Sequence, residues 1–387
     1  MREPILKRES LSRQIIPILR EEILTRRQPG QRLEPIEQMA KRFRVSFPTM
    51  REALSVLEQE GLIERHVGRG TFVGDTTKNR HVAVLAEQDI SDPRTSYFYR
   101  RTPQRVVHFL RANGFPVRLY AGHLAPDDES LHPLTCTDFL EAVERRRLSG
   151  VAAFAPDHTF SPWLESAQKQ GVPVVGLNPV CEHRVRADHA ELGRRGGEYL
   201  LRQGRRRIAL LDYDSPLGGR LPHTEGFQAA MAAAGLELNP DWTRYDLHPC
   251  APGAGWEEFR AIWINGRTKP NGLLICDDNL FPGAAMAILQ LGIRVPEDLL
   301  VVTHWNKGSP MAVPFPVTKL QFAPDHHARV MGEMLIKLMR REPVANRHMV
   351  LSCELLEPEE AEPQGYSRRL AGGQEVNVAV GGGRSAP

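Results

Sequence analysis

The stretch FRVSFPTMREALSVLEQEGLIERHVGRGTFV, Phe43–Val73, decides the fold of the first part of this 387-residue chain. Ser46 places a side-chain oxygen where it can cap a following helix by accepting from unpaired backbone N–H groups. From there Met50, Ala53, Leu54 and Leu57 recur at helical spacing and give one apolar stripe. Upstream, Met39, Ala40 and Phe43 predict a shorter helix ending at a tight Arg44-Val45 turn. Downstream, Gly61 ends the second helix, Leu62-Ile63-Glu64-Arg65 reads as a strand, and Gly68-Arg69-Gly70 as a tight turn into the strand Thr71–Val73. Two helices about a tight turn, then two strands joined by a basic glycine turn, form the pattern of a winged helix-turn-helix. Such a unit inserts the first turns of its second helix into the DNA major groove. The candidate contacts are Arg44, Ser46, Phe47, Thr49 and Arg51 around that helix, with Arg65, Arg69 and Thr71 on the wing. A winged helix used only for protein contacts is the alternative; the arginines at 44, 51, 65 and 69 weigh toward DNA.

Charge is distributed accordingly. Residues 1–75 hold 14 Lys+Arg against 11 Asp+Glu, whereas the remaining chain holds 36 of each, so the whole formal excess of +3 lies in the proposed reader and the first linker residue. Neutralising phosphates with those side chains predicts salt-dependent affinity. The length is too great for one small domain, and 41% hydrophobic residues support sizeable cores. No apolar run reaches membrane-spanning length and the N-terminus does not read as a signal peptide, so a cytoplasmic location is expected. The five cysteines, Cys136, Cys181, Cys250, Cys276 and Cys353, are scattered without metal-ligand spacing, and reduced, buried thiols are expected rather than a disulfide frame or a structural metal. No cofactor motif is present.

Beyond a polar linker at 75–80 the periodicity changes. Apolar runs predict strands at 82–86, 116–120, 150–154, 172–177, 207–211, 272–276 and 299–303, with helical patterns between them. Strands that alternate with helices imply parallel sheets with right-handed crossovers, and there are enough units for two doubly wound lobes. The fold class is therefore α/β: an N-terminal winged helix-turn-helix over 1–74, a linker at 75–80, a two-lobed doubly wound domain over 81–356, and a Glu-, Pro- and Gly-rich tail from 357 expected to be disordered. Ligands of such sheets sit at the carboxyl ends of strands.

Two resemblances follow. Residues Leu11–Gly74 resemble the GntR family of bacterial regulators through QIIPILREEIL, PGQRL, VSFPTMREAL, LEQEGLIER and GRGTFV. Two positions depart from the family pattern. Phe47 stands where an arginine is usual, so the family's operator preference does not carry over. Glu34-Pro35-Ile36 replaces a proline and small polar cap, which leaves Glu34 as the expected cap with Pro35 at the first helical position. Residues from about His81 to Leu356 look like the effector-binding domain of the LacI/GalR regulators, related to periplasmic sugar-binding proteins. The matching segments include VRADHAELGRRGGEYLLRQGRRRIALL, EGFQAAMAAAGL, GLLICDDNLFPGAAMAILQLGIRVPEDLLVV and VTKLQFAPDHHARVMGEMLIKLM.

The second resemblance implies a small-molecule effector held between two lobes. Asp188 and Asp278 fall at its cleft positions, each with helix capping as a compatible role. His223 stands near the family's usual arginine, with Arg220 three residues upstream, exchanging a guanidinium for a titratable imidazole. The family's glycine-aromatic-aspartate becomes Thr303-His304-Trp305-Asn306, making Trp305 either a stacking platform or core filler and Asn306 a further candidate. Tyr97 and Tyr99 lie where the family reaches its ligand from the first strand's loop. A carbohydrate or polyol is the leading effector class. The implied partners are an operator duplex and a second copy of the chain, and the implied action is repression released by ligand. The alternative is an enzyme acting on a sugar-like ligand through His223, Asp188 and Asp278, against which no G-x-S-x-G, Walker-type or H-E-x-x-H pattern occurs.

Overall fold

A computed structural model describes residues 10–28, 30–74, 80–122, 137–155, 160–213, 222–247, 253–358, 367–369 and 375–377. The reader comprises α1 (Leu11–Arg26), α2 (Ile36–Phe43), α3 (Phe47–Gln59), β1 (Ile63–His66) and β2 (Gly70–Val73). The apolar stripe of α3 is its core: Met50, Ala53, Leu54 and Leu57 are at most 1% exposed and pack with Ile15, Leu19, Ile23, Met39, Leu62 and Ile63. Ser46 caps α3, its Oγ accepting from Thr49 N at 3.3 Å. The tight turn is made by Arg44 in the left-handed region at φ 53°. Glu34 does not cap α2. Pro35 itself occupies the cap position without a side-chain bond, and Glu34, one residue too far upstream, instead pairs with Arg42 at 3.6 Å and Arg27 at 3.9 Å. β1 and β2 pair antiparallel, and the Gly30–Leu33 segment adds to the wing's edge through Leu33 N to Thr71 O and Val73 N to Gln31 O, both 2.8 Å.

From His81 the chain runs β3 (His81–Ala86), α4 (Tyr97–Ala112), β4 (Val117–Ala121), α5 (Thr137–Glu144), β5 (Leu148–Phe154), α6 (Ser161–Lys169), β6 (Val174–Gly176) and β7 (His183–Ala187). It continues with α7 (His189–Arg202), β8 (Ile208–Tyr213), α8 (Pro222–Ala233), β9 (Thr243–Leu247), α9 (Trp256–Asn265), β10 (Gly272–Ile275), α10 (Leu280–Gln290) and β11 (Leu300–Asn306). Then come β12 (Thr318–Phe322), α11 (Pro324–Met339), β13 (His348–Leu351) and β14 (Glu354–Leu356). The described chain divides into two compact units. The first contains the reader, the segment through Arg186 and Pro324–Leu351; the second contains Ala187–Ala323 and the chain from Ser352.

The first unit's sheet has strand order β13-β7-β6-β5-β3-β4, the second's β14-β12-β11-β10-β8-β9. In the second sheet the pairings are parallel except β12 with β14. Alternate residues of each strand feed opposite layers: Leu273, Ile275 and Val301 enter one core of the second unit, and Leu274, Val302 and Leu320 the other. The strands β7, β9, β12, β13 and β14 were not anticipated from apolar runs. HRVRA and TKLQF alternate polar and apolar residues and carry too few consecutive hydrophobics to stand out. The linker at 75–79 lies outside the described residues. Within the tail expected to be disordered, β15 (Ser367–Arg369) and β16 (Glu375–Asn377) pair antiparallel, a local backbone pairing that the composition does not signal.

Candidate DNA-reading and ligand-binding faces

On the reader, α3 presents Ser46, Phe47 and Arg51 to solvent, with Thr49 half-buried beside them; Phe47 is 43% exposed. Arg44 is exposed at the preceding turn, and Arg69 at the wing tip, between Gly68 at φ 75° and Gly70 at φ 111°. Ser46 Oγ and Thr49 Oγ1 lie 2.7 Å apart. A groove of about 320 Å³ between α3 and the wing is lined by Arg32, Phe47, Arg51, Arg65 and Thr71, among others. Arg65 is otherwise engaged. Its Nη2 donates to Arg51 O and Ser55 Oγ, each at 3.3 Å, and its Nε lies 3.3 Å from Glu58, so it ties wing to helix. Thr71 is half-buried on β2 opposite Arg65. Arg32 escaped the sequence reading, although PGQRL contained it; it lies exposed on the added edge, against Gly70.

In the second unit, parallel strands end together and collect polar side chains on a mainly apolar sheet. Asp212 closes β8, Asp277 and Asp278 follow β10, and His304 and Asn306 close β11. Helix packing adds more. α7 and α8 meet closely because Gly193 and Gly226 lack side chains: a Cβ on Gly193 would overlap the His223 carbonyl, and one on Gly226 the Ala190 carbonyl. That approach sets His189 Nδ1 2.6 Å from His223 Nε2, with the rings edge to face at 4.4 Å. His223 Nδ1 in turn lies 3.3 Å from Asp212 Oδ1, while Asp212 Oδ2 accepts from Thr224 Oγ1 at 2.8 Å. Asn306 Nδ2 donates to Asp278 Oδ2 at 2.8 Å. Phe322 flanks the group, 5.5 Å from His304 and 6.1 Å from His189 between ring centres.

Three buried atoms on this face have no hydrogen-bond partner among the described residues: His223 Nδ1, His304 Nδ1 and Asn306 Oδ1. The His223 atom is within ion-pair distance of Asp212 but outside hydrogen-bond geometry. Orphaned buried polar atoms are costly and rare in native proteins. Burial drives the His304 ring down to about 4, against an upward pull from Asp278, so the ring is neutral at pH 7. Burial and the neighbouring Asp278 charge push the Asp277 carboxyl well above the usual carboxylate range.

The sequence candidates fall unevenly on this face. Asp278, His223 and Asn306 lie within it, 1%, 1% and 0% exposed. Asp188 caps α7, its carboxylate accepting from Glu191 N at 2.9 Å. Trp305 does not join: strand alternation turns it to the opposite face from His304 and Asn306, where it packs edge to face on Phe281 and fills core. Of the two readings open for Trp305, core filler is the one observed. Tyr97 and Tyr99 belong to the first unit, on the first turn of α4; Tyr97 is half-buried, and Tyr99 packs on Phe98 at the edge of that unit's core. Arg220 lies outside the described residues. His189, Asp212, Asp277 and His304 are members that the sequence reading did not select.

Comparison with known proteins matches both parts of the chain. Residues 11–73 match the bacterial regulatory proteins of the gntR family. Residues 126–247 match the periplasmic binding proteins and sugar binding domain of the LacI family, and 198–357 a periplasmic binding protein-like domain. The arabinose metabolism transcriptional repressor of Halalkalibacterium halodurans is 24% identical over 297 residues, covering 73% of this chain and 77% of that protein. The transcriptional repressor PurR of Pasteurella multocida is 29% identical over 171 residues, 43% of this chain and only 50% of its own length. Among solved structures, a transcriptional regulator CelR–cellobiose complex aligns with a TM-score of 0.58 at 19% identity, covering 92% of this chain and 100% of that one. The chain thus joins a GntR-family winged helix-turn-helix to a LacI-type periplasmic-binding-protein-like domain.

Proposed function

We propose that this chain is a transcription repressor that reads DNA with α3 and the wing and is gated by a small polyhydroxylated effector bound on the carboxyl-end face of its second unit. The observation that carries the sensing half is the set of buried, unpartnered atoms on that face. Asn306 donates through Nδ2 to Asp278, which fixes the orientation of its amide, and the acceptor Oδ1 on the other side, unpartnered among the described residues, calls for a donating hydroxyl. Asp278, His223 and Asn306 are the proposed contacts, with His189 and His304 beside them. The relatives supply the class of effector: an arabinose metabolism repressor and a cellobiose-bound regulator point to carbohydrate.

For the reading half, Arg44, Ser46, Phe47, Thr49, Arg51 and Arg69 are the proposed DNA contacts, joined by Arg32 and Thr71 along the groove. Two copies would present two readers to a two-fold operator in the cytoplasm. Exposed apolar side chains, Ile264 on α9 and Met286 and Leu289 on α10, are candidates for contact with the second copy. Gating requires that the effector bind one conformation better than another; the expected sign is loss of DNA affinity on binding.

The test pairs two measurements on the full chain. A thermal-shift screen of sugars and polyols should give a hit that Asp278→Ala abolishes, and that hit should lower affinity for DNA upstream of the chain's own gene. Arg51→Ala should weaken the same DNA binding by about 1–3 kcal/mol without changing the melting temperature. A salt-titrated assay showing no preference for that DNA over random duplex would end the regulator reading. Turnover of the hit would favour the enzyme instead.

A further inference from the structure

The carboxyl-end face of the second unit also holds more ligand chemistry than a polyol requires. Asp277, Asp278 and His304 each bring one ligand atom within 4.8 Å of the others. The two carboxylates are consecutive in the turn after β10, and the imidazole comes from the end of the neighbouring strand β11. His304 is 8% exposed and its Nδ1 has no partner among the described residues. Beside the trio, the fully buried Asn306 donates to Asp278, which holds that carboxylate in place.

We propose that Asp277, Asp278 and His304 form a binding site for one first-row divalent cation, Mn2+ or Zn2+. One imidazole nitrogen with several oxygens is a mixed set that suits these ions, whereas an all-oxygen set would favour Mg2+ or Ca2+. Both carboxylates are already oriented by outer hydrogen bonds: Asn279 N donates to Asp277 Oδ1 at 2.8 Å, and Asn306 Nδ2 to Asp278 Oδ2 at 2.8 Å. The electrostatics point the same way. Asp277 and Asp278 follow β10, and Asp212 lies at the end of the paired strand β8, so three carboxyl groups gather where a dication would balance them. Around an ion with bonds of roughly 2.1 Å, ligand atoms stand about 3–3.5 Å apart, a spacing that the trio would reach by side-chain adjustment on binding. Coordination positions left open would accept oxygens of the effector. The cation does not depend on which effector is bound.

The experiment uses untagged full-length protein, stripped with EDTA and titrated separately with Co2+, read by visible absorption, and with Mn2+, read by electron paramagnetic resonance. One equivalent per chain is expected, with Zn2+ displacing the probe. His304→Ala and Asp277→Asn should each weaken binding at least about ten-fold. Asp277→Asn is isosteric and keeps an oxygen to accept from Asn279 N, so the fold should hold, which melting of the metal-free proteins verifies. Absence of saturable binding overturns the proposal, as does binding undiminished in both variants. A polyol that stabilises metal-free protein while neither ion binds would overturn the cation site and leave the repressor reading intact.

Discussion

At the scale of single residues, the second unit's face shows which side chains a sequence discloses. Asp278, His223 and Asn306 were legible because each stood in a segment resembling a known pattern. His189, Asp212 and His304 were not, because nothing links them until helices and strands pack: His189 and His223 are 34 positions apart in the chain yet bonded at 2.6 Å. Trp305 shows the converse, since alternation along β11 sends it away from its neighbours. Another buried imidazole carries a measurable consequence. His327 on α11 is 3% exposed, packs edge to face on Phe98 at 5.0 Å and keeps a hydrogen bond to the Val185 backbone. Burial, followed by the neighbouring His326 charge, brings its pKa from 6.5 to about 4 despite that bond. The folded value lies below the unfolded one, so between those values the unfolded state binds more protons. Stability is therefore full above about pH 6.5 and falls as the pH drops toward 4, by up to about 3 kcal/mol from this group alone. In urea unfolding measured across that range, His327→Phe should flatten the decline. An unchanged slope would show that the imidazole is not the responsible group.

At the scale of elements, what is legible follows periodicity. The stripe Met50, Ala53, Leu54, Leu57 announced α3 and its core, and Ser46 its start, because one helix carries all the information locally. Glu34 failed as a cap for a reason one residue long: Pro35 took the position. The mixed strands β7 and β12 were missed because their polar positions dilute an apolar signal that burial on the sheet later explains. The α7–α8 contact was invisible for a different reason. Its determinants are absences, the missing side chains of Gly193 and Gly226, and their effect lies between helices. Because Gly193 has an ordinary helical conformation, adding a methyl group there tests the close approach and not backbone strain. Gly193→Ala should push α8 off α7, destabilise the protein by roughly 1–3 kcal/mol through overpacking and lengthen the His189–His223 bond. Thermal melting reads the first effect and effector affinity the second. A variant with wild-type melting and affinity would mean the helices accommodate the methyl without moving.

At the scale of the whole molecule, the hydrophobic interior comes in separate parcels. The reader has a core built on α3, and each doubly wound unit has two layers flanking its own sheet. Chains built this way do not generally unfold in a single step. The distribution of tryptophan makes this testable without labels. Trp242, Trp256, Trp263 and Trp305 belong to the second unit, Trp163 to the first, and residues 1–75 contain none. Intrinsic fluorescence therefore reports mainly on the second unit, whereas far-UV circular dichroism reports on helices throughout. Denaturant transitions followed by the two probes should not coincide. An effector or cation bound on the face formed by β8, β10 and β11 stabilises the state that binds it, by about 2.7 kcal/mol at a hundred times its dissociation constant. It should therefore move the fluorescence transition to higher denaturant by more than it moves the reader's. An operator duplex should do the reverse, holding the helices of the reader while leaving the fluorescence midpoint nearly in place. Superimposable transitions under all three conditions would show that the parcels fold as one cooperative unit, and that the effector's free energy reaches the DNA-reading helices through a single global equilibrium.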